Sequence, residues 1–215
     1  MALGKQEILD VYRRRARRYD LTAQWYYVFG FREWAYRKKA VSALALKRGE
    51  TVLEIGCGTG LNFDLFEKEI GPDGKILGLD LTDAMLAGAR ERGRRNGWSN
   101  VEVVHSDAAV FRFPAKVSGI ISTFALTLVP EYEDVVRAGS EALQPGGRFV
   151  ILDFKLPSSG LSRFAPLLVL ALRPFAASLD LASRRPWETL KKHLTNVSVT
   201  ELYGGIAYLA VGERR

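Results

Sequence analysis

The most informative stretch of the sequence is Val52-Leu53-Glu54-Ile55-Gly56-Cys57-Gly58-Thr59-Gly60. Its first half predicts a strand over Thr51–Ile55, in which the adjacent apolar pair Val52-Leu53 indicates burial on both faces. Its second half is rich in glycine and leads into a helical pattern at Leu61–Ile70. Glycines at such a turn allow positive φ angles and let the backbone approach a ligand closely. We therefore predict a ligand-binding loop whose amides, at the start of the helix, favour an anionic group such as a carboxylate.

An acidic residue follows where the ribose of an adenosine cofactor would be bound. Asp80 lies twenty residues after Gly60, at the end of the next predicted strand, and a carboxylate there can accept hydrogen bonds from both ribose hydroxyls. A dinucleotide-binding loop would have the pattern G-x-G-x-x-G, but Leu61 stands where the third glycine would be. Glu54, two residues before Gly56, suits the cationic amine of a methionine moiety. The loop and Asp80 together favour S-adenosylmethionine (SAM) over NAD.

Short β-branched runs alternate with helical patterns after the loop, and this predicts right-handed βαβ crossovers. We predict an α/β fold with a Rossmann-like, seven-stranded, mostly parallel sheet, helices on both faces, an antiparallel C-terminal strand and a helical N-terminal lid. The lid or substrate-access segment is assigned to residues 1–47 and the cofactor-binding domain to residues 48–215. The predicted elements after the loop are strand Lys75–Asp80, helix Asp83–Asn96, strands Val101–His105 and Gly119–Thr123, helix Glu131–Leu143, strand Arg148–Phe154, and strands Asn196–Leu202 and Ile206–Val211 joined by a tight turn.

Four segments in this order resemble the motifs of class I SAM-dependent methyltransferases, namely Val52–Gly60, Leu77–Leu86, Ser106-Asp107-Ala108 and Leu143–Arg148. The resemblance implies that Asp80 holds the ribose, that Leu81 and Met85 flank the adenine, and that Asp107-Ala108 contact its edge. It also implies that Thr123 and Phe124 lie beside the sulfonium. The cofactor-binding residues predicted in this way are Tyr19, Glu54, Gly56, Cys57, Gly58, Thr59, Gly60, Asn62, Asp80, Leu81, Met85, Asp107, Ala108, Thr123 and Phe124.

Outside this core the likeness narrows to two groups of methyltransferases. The ubiquinone/menaquinone C-methyltransferase family is similar at Tyr19-Asp20-Leu21, Phe29–Trp34, Leu152-Asp153-Phe154 and Glu201–Ile206. That family usually has F-G-x-R-N after the fourth strand, where this chain has Phe124-Ala125-Leu126-Thr127-Leu128-Val129-Pro130. The ending of this stretch, with the Tyr19-Asp20-Leu21 opening, is more similar to bacterial phospholipid and betaine-lipid N-methyltransferases, which methylate head-group amines at the membrane surface.

The two ends of the chain point to a small-molecule or lipid acceptor. Residues 1–40 hold ten Lys and Arg against four acidic residues, which is +6 of the net charge of +7. The segment Leu161–Leu181, in a predicted apolar helical region at 156–185, is interrupted by two arginines and two prolines and is too short to span a membrane. A basic segment with an apolar surface is the pairing that binds an anionic membrane surface. A solvated helix face and a plain core helix are the alternative interpretations.

Two tyrosines are the catalytic candidates. In the families that this chain resembles, an N-terminal helix folds over the cofactor, and a tyrosine near Tyr19 touches its methionine end. Tyr19 and Tyr26 are therefore predicted to line the reacting centre, where catalysis proceeds by alignment of the acceptor and exclusion of water. Packing of a lid helix against the core is the alternative interpretation. No metal is predicted, because the two histidines have no Cys, His or carboxylate neighbours at metal-ligand spacing.

The composition limits the remaining classes. A chain of 215 residues with 47% hydrophobic content suits one domain with a buried core, and its single cysteine cannot form an internal disulfide. Since no signal-peptide pattern is present, we expect a cytoplasmic protein, peripheral at the inner face of the membrane if it acts on lipids. A nucleic-acid acceptor is disfavoured because no N/D-P-P-Y/F-type motif stands near Thr123.

The leading prediction is N-methylation of the amino head group of a lipid or amphipathic acceptor. The alternative enzymatic prediction is C-methylation of a prenylated quinol or of a soluble small molecule. The non-enzymatic alternative is a protein that binds SAM without catalysing methyl transfer. The oligomeric state is not predicted.

Overall fold

The computed structural model describes residues 6, 7, 10, 12, 13, 30–155 and 184–215, of which the first five are helical. From residue 30 onward the described elements are, in chain order, α1 (Glu33–Ala43), β1 (Thr51–Ile55), α2 (Phe63–Ile70), β2 (Lys75–Asp80), α3 (Asp83–Arg95), β3 (Val101–His105), β4 (Val117–Thr123), α4 (Tyr132–Ala142), β5 (Leu143–Phe154), α5 (Pro186–His193), β6 (Thr195–Leu202) and β7 (Ala207–Glu213). Short 3₁₀ helices, Leu126–Leu128 and Tyr203–Gly205, follow β4 and β6.

The strands form one sheet in the order β3-β2-β1-β4-β5-β7-β6. The first five pair in parallel, with Leu53 of β1 opposite Leu77 of β2 and Ile120 of β4, whereas β7 runs antiparallel to both of its neighbours. The predicted fold class is thereby confirmed. Because β1 lies between β2 and β4, the sheet grows in opposite directions from it. In open α/β sheets, ligands bind at the carboxyl ends of the strands at such a switch point.

Adjacent residues of the central strands point to opposite faces of the sheet and so build two cores. Val52 and Val150 pack with α1, α2 and α3 on one face, whereas Leu53 and Ile151 pack with α4 and α5 on the other. Two adjacent residues of a central strand, such as Val52 and Leu53, are therefore both apolar, because helices cover both faces of the sheet.

Several boundaries differ from the sequence-based expectations. α2 begins at Phe63 rather than Leu61, because Gly60, at a φ of 75°, keeps the loop turning. β4 and β5 begin earlier than expected, since Leu143 already pairs with Val117 before a shift in register. The turn before β7 is a 3₁₀ turn with two glycines at positive φ rather than a two-residue hairpin turn.

α1 is part of the core, since its residues Ala40 and Val41 and its C-cap Leu44 are buried against the sheet. The lid boundary at residue 47 and the apolar helical segment at 156–185 stay predictions, because residues 14–29 and 156–183 lie outside the described residues. Within the described part of the chain, we find no helix whose length and apolar character would allow it to cross a membrane.

Candidate functional site

A cleft opens at the carboxyl ends of β1, β2 and β4, at the switch point of the sheet. Its empty volume, counted out to the open mouth, is about 840 Å³. Nine of the residues predicted to bind the cofactor line it, namely Gly56, Gly58, Asp80, Leu81, Met85, Asp107, Ala108, Thr123 and Phe124.

Eight further lining residues were not predicted, namely Tyr12, Ile55, Leu79, Thr82, Ser106, Ala125, Leu128 and Val129. Five of them are sequence neighbours of predicted residues, so extending each motif by one position would have found them. Leu128 and Val129 come from the 3₁₀ turn after β4 and its end. Tyr12 is far from every motif in sequence, and only the tertiary structure brings it to the cleft.

The glycine-rich loop has the positive φ angles that its sequence predicts. Gly56, Gly58 and Gly60 have φ angles of 69°, 56° and 75°, which non-glycine residues rarely adopt. A Cβ atom on Gly56 would overlap the Cβ of Ala125, whereas one on Gly58 would meet no atom within 4 Å. Gly56 therefore allows the loop to pack against the end of β4, and Gly58 leaves space open.

The loop amides are used differently from the prediction. Those of Gly56 and Cys57 donate to the Leu79 carbonyl at 2.8 and 3.0 Å, and that of Gly60 donates to Cys57 at 2.9 Å. The amide of Gly58 donates to Asp80 Oδ2 at 2.8 Å. These four amides donate to groups inside the fold. The prediction that the loop amides bind an anionic group is therefore wrong for these four.

Asp80 closes the loop and lines the cleft. Besides Gly58, it accepts the amide of Thr82 on Oδ1 at 2.8 Å. Burial raises the pKa of Asp80, and these two backbone donors oppose the rise. Each carboxylate oxygen retains further acceptor capacity, so Asp80 can still accept hydrogen bonds from a vicinal diol placed in the cleft.

The far side of the cleft is formed by the residues after β2 and β3. Leu81 and Met85 give this side an apolar surface. The orientation of the Asp107 side chain is fixed by a local hydrogen bond, in which its Oδ1 accepts the amide of Ala109 at 2.9 Å. The Nε2 atom of His105 lies 3.0 Å from the carbonyl oxygen of Leu81. This arrangement suits a flat heterocycle held between apolar side chains.

Glu54 and Asn62 lie behind the cleft wall in a buried polar network. Asn62 Nδ2 donates to Glu54 Oε1 at 2.5 Å, and Thr123 Oγ1 donates to the same oxygen at 3.2 Å. Glu54 Oε2 is buried without a hydrogen-bond partner among the described residues. Burial raises the pKa of Glu54 to about 7, against the lowering effects of Arg37, Asn62 and Thr123. Thr123 is the member of this network that lines the cleft.

Sequence reasoning missed Glu33 and Arg37 of α1, which are buried beside this network. Their i, i+4 spacing was visible, but such pairs usually lie on a solvated helix face. Their burial could not be seen without the position of α1 on the sheet.

Three loop residues predicted to bind the cofactor do not line the cleft, namely Cys57, Thr59 and Gly60. The Cys57 thiol lies against Gly78 of β2, and burial raises its pKa well above the usual value, so it stays a neutral thiol. The Thr59 carbonyl accepts Arg92 Nε at 2.8 Å. These residues shape the loop from behind.

An aromatic cluster adjoins the cleft at Phe124 and comprises Phe31, Phe124, Phe154 and Tyr203. The ring centroids of Phe124 and Phe154 are 4.9 Å apart, and Phe31 lies 5.2 to 5.8 Å from the other three. Phe124 and Tyr203 both have positive φ angles, 56° and 47°, which cost free energy for bulky side chains. Tyr19 and Tyr26, the catalytic candidates, lie outside the described residues.

Known methyltransferases are similar to this chain in sequence and in fold. The model of the ubiE/COQ5 methyltransferase family matches residues 1–183. The demethylmenaquinone methyltransferase of Listeria welshimeri is 32% identical over 124 residues, which are 57% of this chain and 52% of that protein. The ubiquinone/menaquinone biosynthesis C-methyltransferase of Salmonella arizonae is 34% identical over 124 residues, 57% of this chain and 49% of that protein.

Among solved structures, phosphoethanolamine N-methyltransferase 2 of Haemonchus contortus, bound to phosphomonomethylethanolamine and S-adenosylhomocysteine, is similar in fold. It has a TM-score of 0.63 and 23% identity, over 79% of this chain and 39% of that one. The chain spans about half the length of the curated relatives that it matches.

Proposed function

This chain belongs to the ubiE/COQ5 methyltransferase family, and we propose that it is a SAM-dependent methyltransferase acting on a ring carbon of a prenylated quinol. The observation that carries the proposal is the meeting of the glycine loop, Asp80 and Phe124 in one cleft. The curated relatives support this acceptor more than the lipid head-group amine favoured by the sequence motifs.

The cleft suits SAM in three respects. The space beside Gly58 admits the cofactor backbone, and Asp80 can accept the ribose hydroxyls. The carboxylate of Glu54, buried behind Thr123, supplies negative charge near the methionine ammonium. In this assignment Leu81 and Met85 flank the adenine, Asp107 and Ala108 contact its edge, and Thr123 and Phe124 lie at the methionine end.

SAM, when bound, supplies a methyl group whose transfer forms a bond to the ring carbon, leaves the carbon–sulfur electron pair on sulfur and releases the ring proton to solvent. The task of the protein is to align the acceptor and to exclude water. Phe124 belongs to the aromatic cluster and also lines the cleft, so the cluster offers the flat, apolar contact that a quinol ring and its prenyl tail require. Tyr19 and Tyr26 remain candidates for lining the reacting centre.

The test offers the full chain two acceptors in the presence of SAM labelled in its methyl group. One acceptor is a prenylated demethylnaphthoquinol in detergent, and the other is phosphatidylethanolamine in vesicles. We expect label on a ring carbon of the quinol and none on the lipid, with the label lost in Asp80→Ala. Absence of labelled quinol from an enzyme that binds SAM would contradict the proposed acceptor.

N-methylation of a lipid amine is a second candidate, favoured by one observation. The stretch Phe124-Ala125-Leu126-Thr127-Leu128 replaces the usual F-G-x-R-N, and Leu128 lines the cleft, so two polar side chains typical of the quinone enzymes are absent. Label on the phosphatidylethanolamine alone would favour this candidate. Either acceptor resides in a bilayer, and the charge of +6 in residues 1–40 supports contact with an anionic membrane surface.

A further inference from the structure

Arg37 joins three elements behind the cleft. It lies on α1 and is only 4% exposed. Its Nε donates to Glu33 on the same helix at 2.8 Å, and its Nη1 donates to Asn62 Oδ1 at 3.2 Å and to Thr123 Oγ1 at 2.7 Å. One guanidinium therefore ties α1 to the start of α2 and to the end of β4.

The donors and acceptors of the network fit in one arrangement. Asn62 accepts from Arg37 through Oδ1 and donates through Nδ2 to Glu54 and to Thr123. Thr123 accepts from Arg37 and Asn62 on its two lone pairs and so directs its single hydrogen to Glu54. Because Arg37 has only donors, it determines the orientation of both Asn62 and Thr123. The carboxylate of Glu54 is thereby held at Oε1, and Oε2 is left without a partner among the described residues.

Arg37 also contacts the wall of the cleft. Its guanidinium carbon lies 5.3 Å from the centre of the Phe124 ring, and Phe124 holds a strained φ of 56°. Arg37 therefore contacts Thr123, the last residue of β4, and Phe124, the residue after it. Both of these residues line the cleft. The guanidinium is thus placed to influence both Glu54 and the cleft residues at the end of β4.

We propose that Arg37 is a positioning residue for cofactor binding, which orients Asn62 and Thr123 and so holds the buried Glu54 carboxylate behind Thr123, where its negative charge attracts the methionine ammonium of SAM. The inference rests on the proposed function, and it assigns a role to a residue of α1 that does not line the cleft.

The electrostatics support this role. Among the described residues, the charged or titratable groups that act on Glu54 are Arg37 from α1, Asp80 from β2 and the neutral Cys57 thiol, and Glu33 is the partner of Arg37. Burial raises the pKa of Glu54 to about 7; Arg37 is the strongest opposing influence, and Asp80 adds to the rise. Loss of the Arg37 charge would raise the pKa of Glu54 further, so that near neutral pH the carboxyl would be protonated and the negative charge that attracts the ammonium would be lost.

The test measures SAM binding to the full chain by calorimetry between pH 6 and pH 9. Arg37→Met removes both the positive charge and the guanidinium donors, whereas Arg37→Lys keeps the charge. The control is Lys39→Met, which removes an exposed charge from the same helix. The SAM amine titrates in the same way with every variant, so a difference between variants in the pH dependence of SAM affinity reflects the titration of Glu54. We expect Arg37→Met to weaken binding about tenfold at pH 7 and to move the pH at which binding strengthens upward. Arg37→Lys should leave that pH near its wild-type position with a smaller loss of affinity, and Lys39→Met should match the wild type.

The outcomes separate this inference from the proposed function. If the wild-type chain fails to bind SAM, both are overturned. If Arg37→Met binds SAM with the wild-type affinity and pH dependence, or with an equal loss at every pH, Arg37 has only a structural role and the inference alone is overturned. Should Arg37→Met not fold, because Glu33 is left as an unpaired buried charge, the double variant Glu33→Gln/Arg37→Met removes that charge and provides the same measurement.

Discussion

At the scale of single residues, Gly56 and Gly58 have similar backbone conformations but different surroundings. Both have positive φ angles, so any side chain at either position brings backbone strain. A methyl group at Gly56 would in addition overlap Ala125, the residue after Phe124, whereas one at Gly58 would project into open space. The pair therefore distinguishes strain from packing.

We predict that Gly56→Ala lowers the free energy of unfolding by about 2–4 kcal/mol, from strain and overpacking together. Gly58→Ala should cost about 1–2 kcal/mol, from strain alone, and should mainly weaken SAM binding because its methyl group enters the cleft. Urea unfolding and calorimetric titration with SAM provide the two measurements. The double variant Gly56→Ala/Ala125→Gly should recover part of the lost stability. Equal losses of stability in the two single variants would contradict the packing argument.

At the scale of elements, α3 is attached to the glycine loop near both of its ends. Its N-terminal side follows Asp80, which accepts the Gly58 amide, and its last turn carries Arg92, whose Nε donates to the Thr59 carbonyl at 2.8 Å. Met85, between these two attachments, lines the cleft. The position of α3 therefore sets the distance between the loop and the apolar side of the cleft.

Replacing Arg92 by methionine should loosen the loop from α3. We expect the free energy of unfolding to fall by about 1.5–3 kcal/mol, as for loss of a hydrogen bond from a charged donor, and SAM affinity to fall several-fold. Arg94→Met is the matched control, since Arg94 is exposed and pairs with Glu91 on the same helix. Urea unfolding and SAM titration of the two variants make the comparison, and identical behaviour of Arg92→Met and Arg94→Met would exclude a role for the Thr59 contact.

At the scale of the whole molecule, the cleft gathers residues from most of the described sheet. The loops after β1, β2, β3 and β4 all contribute, and Tyr12 adds a side chain from the N-terminal helical residues. A ligand that contacts all of these binds the folded chain and not the unfolded one, so its binding free energy adds to the stability of the whole fold.

We predict that SAM at about 100 times its dissociation constant stabilises the protein by about 2.7 kcal/mol. For a chain of this size, that corresponds to a rise in Tm of about 5–10 °C. NAD should cause no rise, because the loop lacks the third dinucleotide glycine, and Asp80→Ala should abolish the response to SAM. Thermal unfolding followed by circular dichroism tests this, and a rise with NAD but not with SAM would reverse the assignment of the cofactor.

The sequence alone determined the features that depend on local order. The two-sided cores follow from apolar pairs such as Val52-Leu53, and the loop and Asp80 follow from short spacings along two neighbouring strands. These features were predictable because a strand and its following turn carry their own pattern of burial and backbone conformation.

The contacts between residues far apart in the sequence depend on how the elements pack together. Arg37 bonds to Thr123 over a separation of 86 residues, Tyr12 reaches the cleft, and Glu54 lies behind Thr123 rather than in the cleft lining. The loop amides, predicted to receive an anion, turn inward to Leu79, Cys57 and Asp80. No local pattern encodes these contacts, because each depends on where α1 and the neighbouring strands pack on the sheet.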